Sequence, residues 1–162
     1  VQELPGHTAP IRALAYSSTG EWLATGDANG VLRVWNLKDA TRSYTVRAHE
    51  LVLTGLAFLL GASGDRLVTT GYDSPGAASV RLWNYTDVGV APAIVRGHDG
   101  EINLLATAPG VNGFLTAGYD HGVRIWLVDD PHAEPTILVA GTAFVDEPGS
   151  YTHLTLPPNE LG

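Results

Sequence analysis

The sequence predicts an all-β protein assembled from three copies of one four-stranded unit. Three observations point there. The same three apolar blocks occur in the same order three times along the chain. Each block is of strand length, rich in β-branched and aromatic residues, and bounded by Gly, Pro, Ser or Asp turns. Helical periodicity is absent.

The first block follows a histidine. With His7, His49 and His98 aligned, Ile11, Leu53 and Ile102 stand four residues on, and Leu14, Leu56 and Leu105 seven on. The segments IRALAYS, LTGLAFLL and INLLATA alternate little. A strand with one wet face should alternate, so these are expected to be covered on both faces. The second block reads LATGDANG, LVTTGYDS and FLTAGYDH, aligning Thr25, Thr69 and Thr116. The third reads VLRVWN, SVRLWN and GVRIWL. It aligns Arg33, Arg81 and Arg124, each two residues before Trp35, Trp83 and Trp126. The tryptophans are 48 and 43 residues apart, a period that belongs to repeat architectures. A fourth β-rich segment closes each copy: SYTVRAH, PAIVRGH and TILVAGT. The intervening turns carry the expected punctuation in SSTGE, ASGD and PGVNG.

The spans Gly6-His7 to Trp35-Asn36, Ala48-His49 to Trp83-Asn84 and Gly97-His98 to Trp126-Leu127 resemble WD-repeat units. The usual closing Trp-Asp is here Trp-Asn, Trp-Asn and Trp-Leu. The resemblance covers residues 1–141 and implies a partial β-propeller of three four-stranded antiparallel blades around a channel. It places an end strand of a preceding blade at 1–5 and blades at 6–47, 48–96 and 97–141. Residues 142–149 would start an incomplete blade. Three blades fall short of the four to eight that close a propeller, so about four more are expected. The chain begins with Val1 and has no methionine, and so reads as a fragment. Ser150–Pro157 resembles the translation of a transposase sequencing adapter, which makes 150–162 an expected non-native tail.

The resemblance also implies a buried tetrad in each blade. A buried indole N–H needs an acceptor. A threonine hydroxyl accepts that bond and donates onward to a histidine, whose other nitrogen donates to a carboxylate. The third repeat supplies His98, Thr116, Asp120 and Trp126. The second supplies His49, Thr69, Asp73 and Trp83, with Ser74–Ala77 expected to lengthen its turn. In the first, Asn29 stands in the acid position beside His7, Thr25 and Trp35, so this blade is expected to have the poorest network.

Composition narrows function. The net charge is −8, and the nine Lys and Arg residues are scattered. Binding to nucleic acid or to an anionic membrane is therefore disfavoured. No apolar run reaches the roughly 20 residues of a spanning helix. No signal segment opens the chain, which leaves localisation open, with the cytoplasm as default. Cysteine is absent, so there is no thiolate site. His121 and His132 are isolated, and no His/Asp/Glu set has metal-ligand spacing. Asp27–Gly30 begins like a calcium loop, but Lys38 occupies its twelfth position. Asn84-Tyr85-Thr86 matches a glycosylation sequon, though Asn84 already fills the Trp-Asp slot. No nucleophile elbow, phosphate loop or dinucleotide fingerprint occurs.

These readings predict a non-catalytic scaffold with no cofactor and no metal. Its partners would be proteins or peptides on the top face and the remaining blades of the same propeller. The candidate contact residues are Tyr72 and Tyr119, just before the tetrad acids, with Pro10, Val52 and Glu101 in the loops after the histidines. The alternative is a regulatory or sensory propeller joined to a catalytic domain outside this sequence.

Overall fold

Each repeat forms its own antiparallel sheet because its strands are joined by turns too short for any other connection. In the computed structural model, residues 3–60, 65–87, 89–107, 112–130 and 135–139 are described. The first sheet comprises β1 (Ile11–Tyr16), β2 (Trp22–Asp27), β3 (Val31–Asn36) and β4 (Tyr44–Arg47). The second comprises β5 (Leu53–Leu59), β6 (Arg66–Ser74), β7 (Ala77–Trp83) and β8 (Ala93–Val95). The third comprises β9 (Ile102–Thr107), β10 (Gly113–Gly118), β11 (Val123–Leu127) and β12 (Thr136–Val139). In all three, neighbours in sequence are neighbours in space and every pairing is antiparallel. One 3-10 turn, Ala40–Arg42, is capped by the Asp39 carboxylate. The architecture is three consecutive propeller blades.

Blades stack through apolar faces. Trp22, Ala24, Leu32 and Val34 of the first pack on Leu53, Leu67, Trp83 and Tyr85 of the second. Val68, Val80, Leu82 and Val95 of the second pack on Ile102, Phe114, Trp126 and Val128 of the third. The tryptophan face of each blade therefore meets the preceding blade. This leaves two sheet faces uncovered among the described residues. Trp35 is half-buried, whereas Trp83 and Trp126 are buried. Leu115, Val123 and Ile125 are half-buried, whereas their counterparts in the other blades are buried.

The first-block strands differ from expectation. β5 is half-buried along most of its length, but β1 and β9 are mostly exposed, with Ile11, Leu14, Tyr16 and Leu104 each more than half accessible. Each is the edge strand of its sheet, and β1 and β9 belong to blades with one stacked neighbour. Apolar content did not report two-sided burial there. The end strand expected over 1–5 also differs. Residues 3–10 form no strand, and the segment holds two prolines and Gly6 at φ +128°. The Pro5 carbonyl instead accepts a bond from the Arg33 guanidinium. Ser74–Ala77 does not make a longer loop either. Ser74 pairs with Ala77, so the insertion extends the β6–β7 hairpin to a two-residue Pro75-Gly76 turn, with Gly76 at φ +75°. The expected incomplete blade at 142–149 and tail at 150–162 lie outside the described residues.

Gly30 shows why the blade junction needs glycine. Its φ is +75°, and a Cβ there would stand 2.0 Å from the His49 carbonyl oxygen. The Gly30 carbonyl accepts from the Ala48 and His49 amides, at 2.8 and 3.1 Å. The turn of the first blade is thus bonded to the histidine loop of the second.

Candidate functional site

The second strand of each blade carries a threonine on the face turned to the preceding blade, and the third strand brings a tryptophan beside it. In the third blade, Trp126 Nε1 donates to Thr116 Oγ1 (2.7 Å). Thr116 Oγ1 donates to His98 Nε2 (2.7 Å), and His98 Nδ1 donates to Asp120 Oδ1 (2.9 Å). A carboxylate can only accept, so the hydrogen of the His98–Asp120 bond is the one on Nδ1. Arg124 Nη1 donates to Asp120 Oδ2 at 2.7 Å. Burial alone would raise the Asp120 pKa. Bonds from His98, from the Gly122 and Asp99 amides and from Arg124 outweigh it and hold the carboxyl well below the usual range.

The second blade uses the same parts with a different joint. Trp83 donates to Thr69 (3.1 Å), and Thr69 donates to His49 Nε2 (2.9 Å). His49 Nδ1 lies 3.5 Å from Asp73, whose carboxylate is taken by Ser79 and Arg81, each at 2.7 Å. Burial, followed by the Arg81 charge, pushes the His49 pKa down to about 4 against the pull of Asp73. Asp73 is itself held below its ordinary value. Burial opposes this, but the Ser79 and Arg81 bonds prevail.

The first blade requires a correction. Trp35 donates to Thr25 (3.0 Å) and Thr25 to His7 Nε2 (2.7 Å), but His7 Nδ1 donates to Asp27, at 2.8 Å. Asn29 is exposed at the turn, and its side chain does not supply the acid. The reason is strand periodicity. Thr25 and Asp27 are two apart on β2 and share one face, whereas Asn29 lies beyond the strand end. Asp27 also accepts from the Asn29 and Val31 amides at 2.9 and 3.0 Å, pinning the turn. Against burial, the His7 bond and these amides lower its pKa. The longest His–Asp contact belongs to the second blade and not to the first, because Ser79 and Arg81 claim Asp73.

Sequence reasoning missed Asp27, Ser79, Arg81 and Arg124. The arginines had a signal, since one stands two before each of Trp35, Trp83 and Trp126. Their outcomes diverge. Arg81 and Arg124 clamp acids, while Arg33 bonds Pro5 and stacks on Trp35 with its guanidinium carbon 5.3 Å from the ring centre.

The candidate contact residues form a second repeating pattern. The amides of Ala28, Tyr72 and Tyr119 donate to the carbonyls of Pro10, Val52 and Glu101 at 3.0, 2.9 and 2.9 Å. These positions are equivalent in the three blades, so their side chains leave from the same end of each sheet. They are not equally exposed. Tyr119 is 63% accessible and Pro10 is exposed. Val52, Glu101 and Tyr72 are half-buried. Tyr72 is not a free anchor, because its hydroxyl donates to Glu101 Oε2 at 3.1 Å. Burial, then Glu101, pushes its pKa up to about 12, and the nearby Tyr119 adds to this. Tyr72 is therefore a standing donor. His121 occupies a left-handed turn position at φ 60°, and His132 lies outside the described residues.

The WD domain, G-beta repeat family matches residues 1–36 and 90–126. Transducin beta-like protein 3 of Mus musculus is 27% identical over 120 residues, covering 74% of this chain and 14% of that protein. Ribosome biogenesis protein ytm1 of Aspergillus oryzae is 28% identical over 152 residues, covering 84% and 30%. The chain thus spans less than a third of either relative. Among solved structures, the crystal structure of RRP9 WD40 repeats superposes with a TM-score of 0.65 at 28% identity, over 83% of this chain and 38% of that one. With three stacked four-stranded blades and the repeated His, Thr and Trp positions, the chain carries WD-type repeats.

Proposed function

We propose that this chain is a non-catalytic protein-interaction scaffold whose top face, the end bearing Pro10, Val52, Glu101, Tyr72 and Tyr119, takes protein or peptide partners. One observation carries the reading. The repeated amide-to-carbonyl bonds leave the Ala28/Tyr72/Tyr119 side chains free to vary while the backbone beneath stays constant. The three tetrad histidines are engaged in internal bonds. Both ring nitrogens of His7 and His98 are committed to Thr and Asp, and His49 is held between Thr69, Ser79 and Asp73. Groups spent on internal bonds are not poised for catalysis. An acidic chain with no basic track also favours proteins over nucleic acid as partners. The relatives bear ribosome-biogenesis and transducin-like names, which suits a role in assemblies.

Site-directed photocrosslinking tests this. A crosslinking amino acid at 119 or 10 should trap discrete protein adducts in extract from the source cells. The same group at Lys38 or Asp87, in the loops at the opposite end, should trap few. Equal labelling at both ends would overturn the top-face reading.

A further inference from the structure

The junction of the second and third blades brings two tyrosines to one glutamate, Tyr72 through its side chain and Tyr119 through its backbone. Glu101 Oε2 accepts from the Tyr72 hydroxyl at 3.1 Å. The Glu101 carbonyl accepts from the Tyr119 amide at 2.9 Å, which ties the two residues together at the backbone. Tyr119 is 63% accessible although it is a large aromatic. Among the described residues, no Lys, Arg or His pairs with the Glu101 carboxylate. In this it differs from the tetrad acids Asp27, Asp73 and Asp120, each of which faces a cation or a histidine.

From this convergence we infer that Tyr72, Glu101 and Tyr119 form a seat for a cationic side chain, lysine or arginine, presented by a bound peptide. The inference rests on the top-face reading above and names its chemistry. Tyr72 orients the carboxylate by holding one oxygen, which leaves the other for a charge-assisted bond to the incoming cation. Tyr119 offers an exposed ring to the same cation, and an aromatic face attracts positive charge. The chain's net charge of −8 favours approach of a basic segment. The matching positions of the first junction have no such set. Ala28 and Val52 stand where Tyr72 and Glu101 do, so that junction has no carboxylate and no hydroxyl to orient one, although Tyr72 itself matches Tyr119. The seat is therefore specific to one blade junction and is not a property of the repeat.

A random-peptide display library selected on the whole chain tests this. Selected peptides should be enriched in Lys or Arg at one position. Replacing that Lys by norleucine, or an Arg by citrulline, should weaken binding about tenfold. Glu101→Gln should cause a similar loss, with no further loss when both changes are combined. Tyr119→Ala should weaken binding and Tyr119→Phe should largely retain it. Asp87→Asn removes a charge elsewhere and should change little, and melting temperatures of all variants should match the parent. Binders that need Tyr119 but show no cation preference would overturn the seat and leave the top-face reading standing. An Asp87→Asn loss equal to that of Glu101→Gln would reduce the effect to net charge and overturn it too. A library yielding no binder sensitive to any top-face change overturns both readings.

Discussion

His7 Nδ1 donates to Asp27 at 2.8 Å across the first blade, so the acid of this network lies two residues after Thr25 and not four. In the third blade the acid, Asp120, lies four after Thr116. The same function is met from two backbone positions because each sends a carboxylate back to the histidine, one from the strand face and one from the turn.

That relationship separates two neighbouring substitutions. Asp27→Ala should destabilise the chain by about 1.5–3 kcal/mol, since a buried charge-assisted bond and two turn amides lose their acceptor. Asn29→Ala should stay within about 0.5 kcal/mol, because its side chain is exposed. Denaturant unfolding of both variants measures the contrast. Equal effects would restore Asn29 to the network.

Thr116→Val should cost roughly 1–3 kcal/mol. It keeps the shape but strands the Trp126 indole and His98 Nε2, both buried. Thr25→Val should cost less, because Trp35 is half-buried and water can reach its indole face. Thermal melts compared across the two variants decide this.

Acid should unfold the chain through His49. Its pKa in the folded state is about 4, below the ordinary value of 6.5, so the unfolded chain binds the proton more readily. Its contribution is fully present above pH 6.5 and is lost as pH falls from there towards 4. The loss from this group is on the order of 3 kcal/mol. Asp27, Asp73 and Asp120, all lowered, should continue the decline below the ordinary carboxylate range. His49→Gln should flatten the part between pH 6.5 and 4 while lowering stability at neutral pH. Urea midpoints measured across that range supply the check, and an unchanged slope in the variant would count against the assignment.

The arginines two before Trp35 and Trp126 should differ in weight. Arg124→Leu removes a clamp on the nearly buried Asp120 and should cost about 2 kcal/mol. Arg33→Leu removes a bond to the Pro5 carbonyl and a stack on a half-buried ring, and should cost about half as much. Chemical denaturation ranks them. A larger cost at Arg33 would mean that its packing outweighs the ion pair.

The blade faces left uncovered among the described residues should make the chain self-associate. Leu115, Val123 and Ile125 present the same apolar surface that is buried between blades elsewhere in the molecule. Ile125→Asp should shift sedimentation towards monomer with little change in β content. A monomeric parent at tens of micromolar would show these faces to be tolerated by water.

What the residues determined by themselves was the repeat. His, Thr, Arg and Trp recurring in order, with β-rich segments between them, were enough to place twelve strands and three sheets. Those are local properties, set by side-chain period and turn chemistry, and they need no knowledge of neighbours. Tertiary structure alone decided which acid completes the first network, because strand phase and turn length choose between Asp27 and Asn29. It decided that Pro75-Gly76 closes an extended hairpin, because Ser74 and Ala77 found each other across the register. It decided that β1 and β9 are exposed although apolar, because burial depends on whether another sheet is stacked there. Finally, it brought Tyr72 to Glu101, 29 residues apart in sequence, across a blade junction that no spacing rule describes. Contacts between sheets depend on how blades pack, and that geometry is written in no single repeat.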